Sequence, residues 1–286
     1  MTQGHPGGRT PDRAMPVGGG GWETVEIAGA DGPVPARVHM PRRTPVGWLV
    51  WAHGGSWHGG SAKGWHHATA EFAQLAECVV VSVDYRLAPH HSHPAPVDDV
   101  LAALAWVRGR AEQDGTPAPI AVGGDSAGGT IAAAAALAAR DGGERLDAQV
   151  LAYPPLDPEC RAESYRGSDA FPGAEWLRAS WRGYRGSSPT VVRRDRTLHS
   201  TPLDTDHLTG VATAILAVGA DDPVLGDVTG YARLLRTWGA AVDLHVLPAT
   251  GHGVFLAPSG SVARLRSRLA AALHALFAGS AEGAHR

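Results

Sequence analysis

Short continuous apolar runs alternate with longer stretches of helical periodicity along most of this chain. Gly47–Ala52, Val79–Val83, Ile120–Gly123, Gln149–Tyr153, Ala214–Val218 and Val242–Leu247 read as strands. Between them, Lys63–Ala76, Val97–Arg110, Ala127–Ala139, Tyr231–Trp238 and Val262–Phe277 read as helices. In Val97–Arg110 the apolar positions are Val97, Leu101, Leu104 and Ala105 or Val107; in the last helix they are Leu265, Leu269, Leu273 and Leu276. Upstream, Trp22–Ile27 and Pro35–Met40 suit an antiparallel pair at a sheet edge. Strands that are apolar throughout are buried on both faces, so the pattern predicts an α/β architecture: a mostly parallel central sheet covered by helices on both sides. The rhythm fails between Pro154 and Thr213, where no clean strand is found and Trp176, Leu177, Trp181 and Tyr184 recur at helical spacing. An excursion this long between core strands predicts a small helical cap at about 157–200.

Composition narrows the class. At 286 residues the chain can bury one large core. Its net charge of -3 and thinly spread Lys and Arg give no basic stripe, so nucleic acid is not an expected partner. Two cysteines, Cys78 and Cys160, make no disulfide framework. No run of 18 apolar residues exists, so no membrane span is expected. Residues 1–21, rich in Gly, Pro and Arg and without an apolar signal core, read as a flexible tail ahead of one domain over 22–286, and the expected setting is cytoplasmic.

The chemistry concentrates at strand ends. Gly123-Gly124-Asp125-Ser126-Ala127-Gly128 joins a strand to an alanine-rich helix. A serine with glycine two residues away on each side, on a sharp strand-to-helix turn, is a nucleophile held in a strained backbone, where bulkier neighbours would collide. His252, after the run Val242–Leu247, is the candidate base that takes the serine proton and returns it to the leaving group. The orienting carboxylate is Asp222 or Asp221, both at the end of Ala214–Val218; Asp222, before Pro223, is preferred and Asp221 remains open. Nucleophile, acid and base then run in the order Ser, Asp, His. His53-Gly54-Gly55-Ser56-Trp57 directly follows a strand. Its glycines let the main chain approach a reacting carbonyl, so Gly55, Ser56 and Ala127 are candidate oxyanion-hole donors. His53 reads as structural, its ring pinning the loop through backbone carbonyls. Trp57, Trp176 and Trp181 are candidate pocket walls.

These segments, with Asp84-Tyr85-Arg86-Leu87-Ala88-Pro89 and Asp222-Pro223-Val224-Leu225-Gly226-Asp227, resemble the hormone-sensitive-lipase-like branch of the α/β-hydrolases across residues 53–253. The resemblance implies an α/β-hydrolase fold, a Ser126–Asp222–His252 triad, an oxyanion hole from Gly55, Ser56 and Ala127, and cleavage of small carboxylic esters without a cofactor. It favours Asp222, because the family's acid directly precedes the proline, and makes Asp84 and Arg86 scaffold that ties neighbouring loops. It permits a monomer or a homodimer. Three departures stand out. Ser56 replaces the family's third glycine. His90 follows Leu-Ala-Pro where the family carries Glu, opening the cluster His90, His91 and His93, for which no metal is expected. Only about 50 residues precede His53, so the N-terminal cap helices are expected to be short or missing. Amide, thioester and acyl-transfer chemistry use the same triad and stay open, as does, more remotely, a non-catalytic small-molecule-binding protein.

Overall fold

The computed structural model describes residues 20–113, 119–166, 169–258 and 264–283. Most of the expected N-terminal tail, and the expected start of the last helix at Val262, lie outside these residues.

The chain enters through an antiparallel hairpin, β1 (Gly21–Gly29) and β2 (Gly32–Met40), and then alternates strand and helix. In order come β3 (Trp48–Ala52), α1 (His66–Ala76), β4 (Val79–Val83), α2 (Ala95–Gln113), β5 (Ile120–Asp125), α3 (Ala127–Asp141) and β6 (Ala148–Ala152). The cap stretch holds α4 (Ala174–Arg185) and a small hairpin, β7 (Thr190–Val192) with β8 (Thr197–His199). The chain then completes the sheet with β9 (Thr213–Gly219), α5 (Leu225–Thr237), β10 (Val242–Leu247) and α6 (Arg264–Gly283).

Among the described residues the main sheet has eight strands in the order β1-β2-β4-β3-β5-β6-β9-β10. From β4 to β10 every pairing is parallel, while β2 joins β4 antiparallel. β3, β4, β5 and β6 are buried at every position, the reason their sequences are apolar without alternation. The edge strand β10 is half exposed. Helices α1 and α6 pack on one another, as do α2 and α3, and they close the sheet. The chain leaves β3 toward β4 on one side and later returns to lay β5 on the other. The ends of β3 and β5 therefore flank a topological switch point, where open α/β sheets leave a crevice for ligands.

Three local expectations change. Helix α5 begins at Leu225, not Tyr231, because Gly226, Asp227 and Gly230 in its first turns hide the apolar spacing. Helix α1 begins at His66, after a turn that takes up Lys63. The stretch expected to lack strands holds β7 and β8, three residues each, joined by the charged turn Arg193–Arg196 that masks them in sequence.

Candidate active site

The Ser126 turn is built by close approach. Ser126 has φ 50° and ψ -123°, in the left-handed half of backbone space that a serine rarely occupies. Its N–H donates to Ala152 O at the end of β6 (2.9 Å), and its carbonyl accepts from Thr130 N as α3 begins. A side chain at Gly128 would run into the carbonyls of Ala52 and His53, and one at Gly124 would meet Ala52 O and the backbone of Gly128. Glycine at these two positions lets α3 dock directly against the end of β3, which pushes Ser126 out of the sheet. Ser126 is partly exposed while its neighbours are buried.

Ser126, His252 and Asp222, from three separate strand ends, meet in one line. Ser126 Oγ lies 2.8 Å from His252 Nε2, and His252 Nδ1 lies 2.9 and 3.0 Å from the two carboxylate oxygens of Asp222. A carboxylate accepts, so Nδ1 carries the proton, Nε2 is left as an acceptor, and the serine hydroxyl donates to it. The His252 side chain is 3% exposed and that of Asp222 0%. Asp222 Oδ1 also accepts from Val224 N (3.0 Å), which holds the carboxylate in place. Asp221 is exposed, and its N–H donates to Thr250 O, so of the two aspartates Asp222 is the one that reaches the imidazole.

Beside them the loop after β3 is cross-linked. Asp125 Oδ1 accepts from Gly54 N (3.1 Å), Trp65 Nε1 (2.8 Å) and Trp51 Nε1 (3.3 Å). Burial pushes the Asp125 carboxyl up to about 7, against these three donors, which favour the ionised form. His53 Nδ1–H donates to Gly54 O (2.7 Å), its ring stacks on Tyr85 at 4.3 Å, and Tyr85 Oη–H donates to His53 O (2.7 Å). Burial lowers the His53 pKa, which keeps this ring neutral. Gly55 has φ 116° and Ser56 φ 59°, and Gly55 O accepts from His58 N and Gly59 N. Among the described residues nothing accepts from the N–H of Gly55 or Ser56. The Ala127 N–H opens α3, where no intrahelical acceptor exists. Three N–H groups thus remain for a ligand. His58 Nδ1–H donates to Ser56 O (2.6 Å), and its ring fills the space that a side chain at Gly183 of α4 would need.

The tryptophans divide differently from expectation. Trp57 and Trp181, expected on a pocket wall, are 0% and 1% exposed. Trp57 stacks on Tyr184 at 4.9 Å and meets Trp181 at 4.4 Å, so these rings join α4 to the loop after β3 and present no open wall. The physical reason is the apolar seam of α4, in which Leu177, Trp181 and Tyr184 all turn inward. Trp176 lies off that seam and is 45% exposed. It packs on Phe171, which sequence reading passed over and which lies 5.9 Å from the His252 ring. The other scaffold groups tie loops: Asp84 accepts from Ala62 N, and Arg86 forms a fork with Asp99 and reaches Asp31. His93 turns inward to Leu198 O, whereas His90 and His91 are exposed. Cys78 and Cys160 are buried, free thiols, and no described helix is long and apolar enough to cross a membrane.

Comparison with known proteins identifies the fold family. A family described as an alpha/beta hydrolase fold matches residues 49–256. A carboxylesterase of Mycobacterium tuberculosis, NlhH, is 36% identical over 256 residues, which cover 85% of this chain and 79% of the relative. The solved structure of the esterase LipW from Mycobacterium marinum superposes with a TM-score of 0.80 at 33% identity, covering 90% of this chain and 82% of that one. An esterase from Pyrobaculum calidifontis gives a TM-score of 0.79 at 32% identity, covering 89% and 85%.

Proposed function

The chain belongs to the α/β-hydrolase fold family, and from that premise we propose that it hydrolyses a carboxylic ester of a small molecule through an acyl intermediate on Ser126. The observation that carries the reading is the continuous hydrogen-bonded line from Ser126 Oγ through His252 to Asp222. His252 Nε2 takes the hydroxyl proton as Ser126 Oγ attacks the ester carbonyl. Negative charge then develops on the carbonyl oxygen, and the N–H groups of Gly55, Ser56 and Ala127 stabilise it; one such donor typically contributes roughly 3–4 kcal/mol. The carbon–oxygen bond to the alcohol breaks, and the imidazolium returns its proton to the departing oxygen. Asp222 holds the ring in the Nδ1–H tautomer and offsets the transient positive charge. Water, deprotonated by the same imidazole, then releases the acid and frees Ser126.

Ser56 in place of glycine keeps its N–H, so the donor set is complete and the added hydroxymethyl group shapes the site's edge. The stretch at about 157–200 acts as the cap, a role supported by the contacts of Phe171 with His252 and of Trp57 with α4. The setting is cytoplasmic; two buried, unpaired thiols suit a reducing compartment. Steady-state hydrolysis of short-chain p-nitrophenyl esters tests the function. The wild-type protein turns them over, and Ser126→Ala lowers kcat by about 10⁴-fold or more with the fold intact. Full activity in Ser126→Ala refutes the mechanism.

A further inference from the structure

Two large aromatic side chains stand in water near the active site, Phe171 against the imidazole of His252 and Trp176 against Phe171. Phe171 is 60% exposed and Trp176 45%, although the inner seam of α4 buries Leu177, Trp181 and Tyr184 completely or nearly so. The exposed pair is in contact, ring centroids 4.9 Å apart, and Phe171 meets the His252 ring edge to face at 5.9 Å. Another side of the imidazole is covered by Tyr153, fully buried, at 4.7 Å. Phe171 thus covers the ring from solvent, and Trp176 extends that apolar surface outward. Its position fixes which part of a substrate it meets. In the proposed cycle His252 hands its proton to the oxygen of the departing alcohol, so that oxygen lies against Nε2 and its substituent projects past the imidazole. The acyl group stays bonded to Ser126, with its carbonyl oxygen toward the loop after β3.

We infer that Phe171 and Trp176 form the binding shelf for the alcohol portion of the ester, and that preferred substrates carry a flat apolar or aryl group there. The inference rests on the acyl-transfer reading above. Stacking an aromatic substituent on the shelf removes two exposed rings from water and gives a directional contact that an alkyl alcohol lacks. No new bond chemistry is involved: the ester C–O bond breaks, the Ser126 ester forms, and the proton passes from Ser126 through His252 to the alcohol.

Two isomeric esters separate this from general apolar affinity. Benzyl acetate carries its ring on the alcohol, methyl phenylacetate on the acyl group, and their leaving alcohols are of similar basicity. The wild-type protein is expected to favour benzyl acetate in kcat/KM, and Phe171→Ala and Trp176→Ala are each expected to reduce the benzyl acetate to methyl phenylacetate ratio by about 10-fold. Equal losses on both isomers, or a loss confined to methyl phenylacetate, overturn the shelf while leaving the acyl-transfer reading in place. No turnover of either ester, together with no labelling of Ser126 by a fluorophosphonate, overturns the acyl-transfer reading and the shelf with it.

Discussion

The rim at the ends of β3 and β5 and the cap stretch at 157–200 meet through Trp57 and His58, yet they are built in opposite ways. The rim's supporting groups are buried and cross-linked by backbone and ring donors: three N–H groups on Asp125, glycine contacts too close for any side chain, and a tyrosine hydroxyl on His53 O. The stretch at 157–200 is held by the aromatic seam of α4, by hydrogen bonds from Asp157 N and Tyr165 Oη to the buried carboxylate of Asp227, and by ion pairs at its surface, such as Arg161 with Asp157 and Arg193 with Asp98, and it leaves Phe171 and Trp176 in water. Surface ion pairs contribute little stability, whereas close packing tolerates almost no change. The contrast teaches where each property resides. In the proposed cycle acyl transfer needs donors fixed to within a fraction of an ångström, and the cross-linked rim is suited to hold them. Choice of substrate tolerates, and benefits from, a surface whose side chains can change without unfolding the protein.

Substitutions should therefore behave very differently in the two regions. The largest effect is expected at Gly128, where an alanine methyl would collide with the carbonyls of Ala52 and His53. Gly128→Ala should destabilise by on the order of 5 kcal/mol and abolish cooperative unfolding by circular dichroism. A native-like melting curve would show that the rim yields as readily as the cap.

Next comes the rim's buried carboxyl. The folded-state pKa of Asp125 is raised to about 7 by burial, so the folded protein binds its proton more tightly than the unfolded chain. Its contribution is fully present below about pH 4 and is lost as pH rises through about 7, up to about 4 kcal/mol in all. Urea midpoints of the wild type, compared with Asp125→Asn across this window, should reveal the slope in the wild type and a flatter profile in the variant. Equal slopes would remove Asp125 as its source.

A smaller effect sharpens the seam between the regions. Gly183→Ala puts a methyl where the His58 ring lies, and His58 holds Ser56 O. Alanine suits a helix at least as well as glycine, so stability should hold or rise by up to about 1 kcal/mol. In contrast, kcat should fall by roughly 3- to 10-fold with little change in KM, because a displaced Ser56 peptide is lost in the transition state, not in the bound substrate. A rise in KM alone would place the effect in substrate binding instead. At the bottom of the scale, Trp176→Ala should alter stability by no more than about 0.5 kcal/mol in a thermal melt, although it changes the choice between isomeric esters.

The same contrast decides what could be read from sequence. Buried strands write continuous apolar runs, so β5 and the turn that follows it at Ser126 stood out in the sequence, whereas β10, a half-exposed edge strand, carries a mixed pattern and the position of His252 rested on its place after that run and before Gly253. Adjacent aspartates were not separable by spacing; the following Pro223 and the family resemblance favoured Asp222, and the backbone turn after β9, which leaves Asp221 exposed with its N–H on Thr250 O, supplies the physical reason. The role of Asp125 was hidden because its donors lie 60, 71 and 74 residues away in the chain. Trp57 and Trp181 drew attention as large aromatics, and their residue type alone could not show that they face each other. Phe171 carries no periodic signal, since an exposed ring in a loop belongs to no repeating face. In the stretch at 157–200, three-residue strands around a charged turn leave almost no pattern.

The central claim is that Ser126 is a nucleophile activated by His252 and Asp222. Intact-protein mass spectrometry after exposure to a fluorophosphonate, with peptide mapping, tests it most directly. The account predicts one phosphonyl adduct, on Ser126, formed by the wild type and absent from Ser126→Ala, with the rate sharply reduced in His252→Ala. An unlabelled wild type, or an adduct that persists in Ser126→Ala, would contradict it.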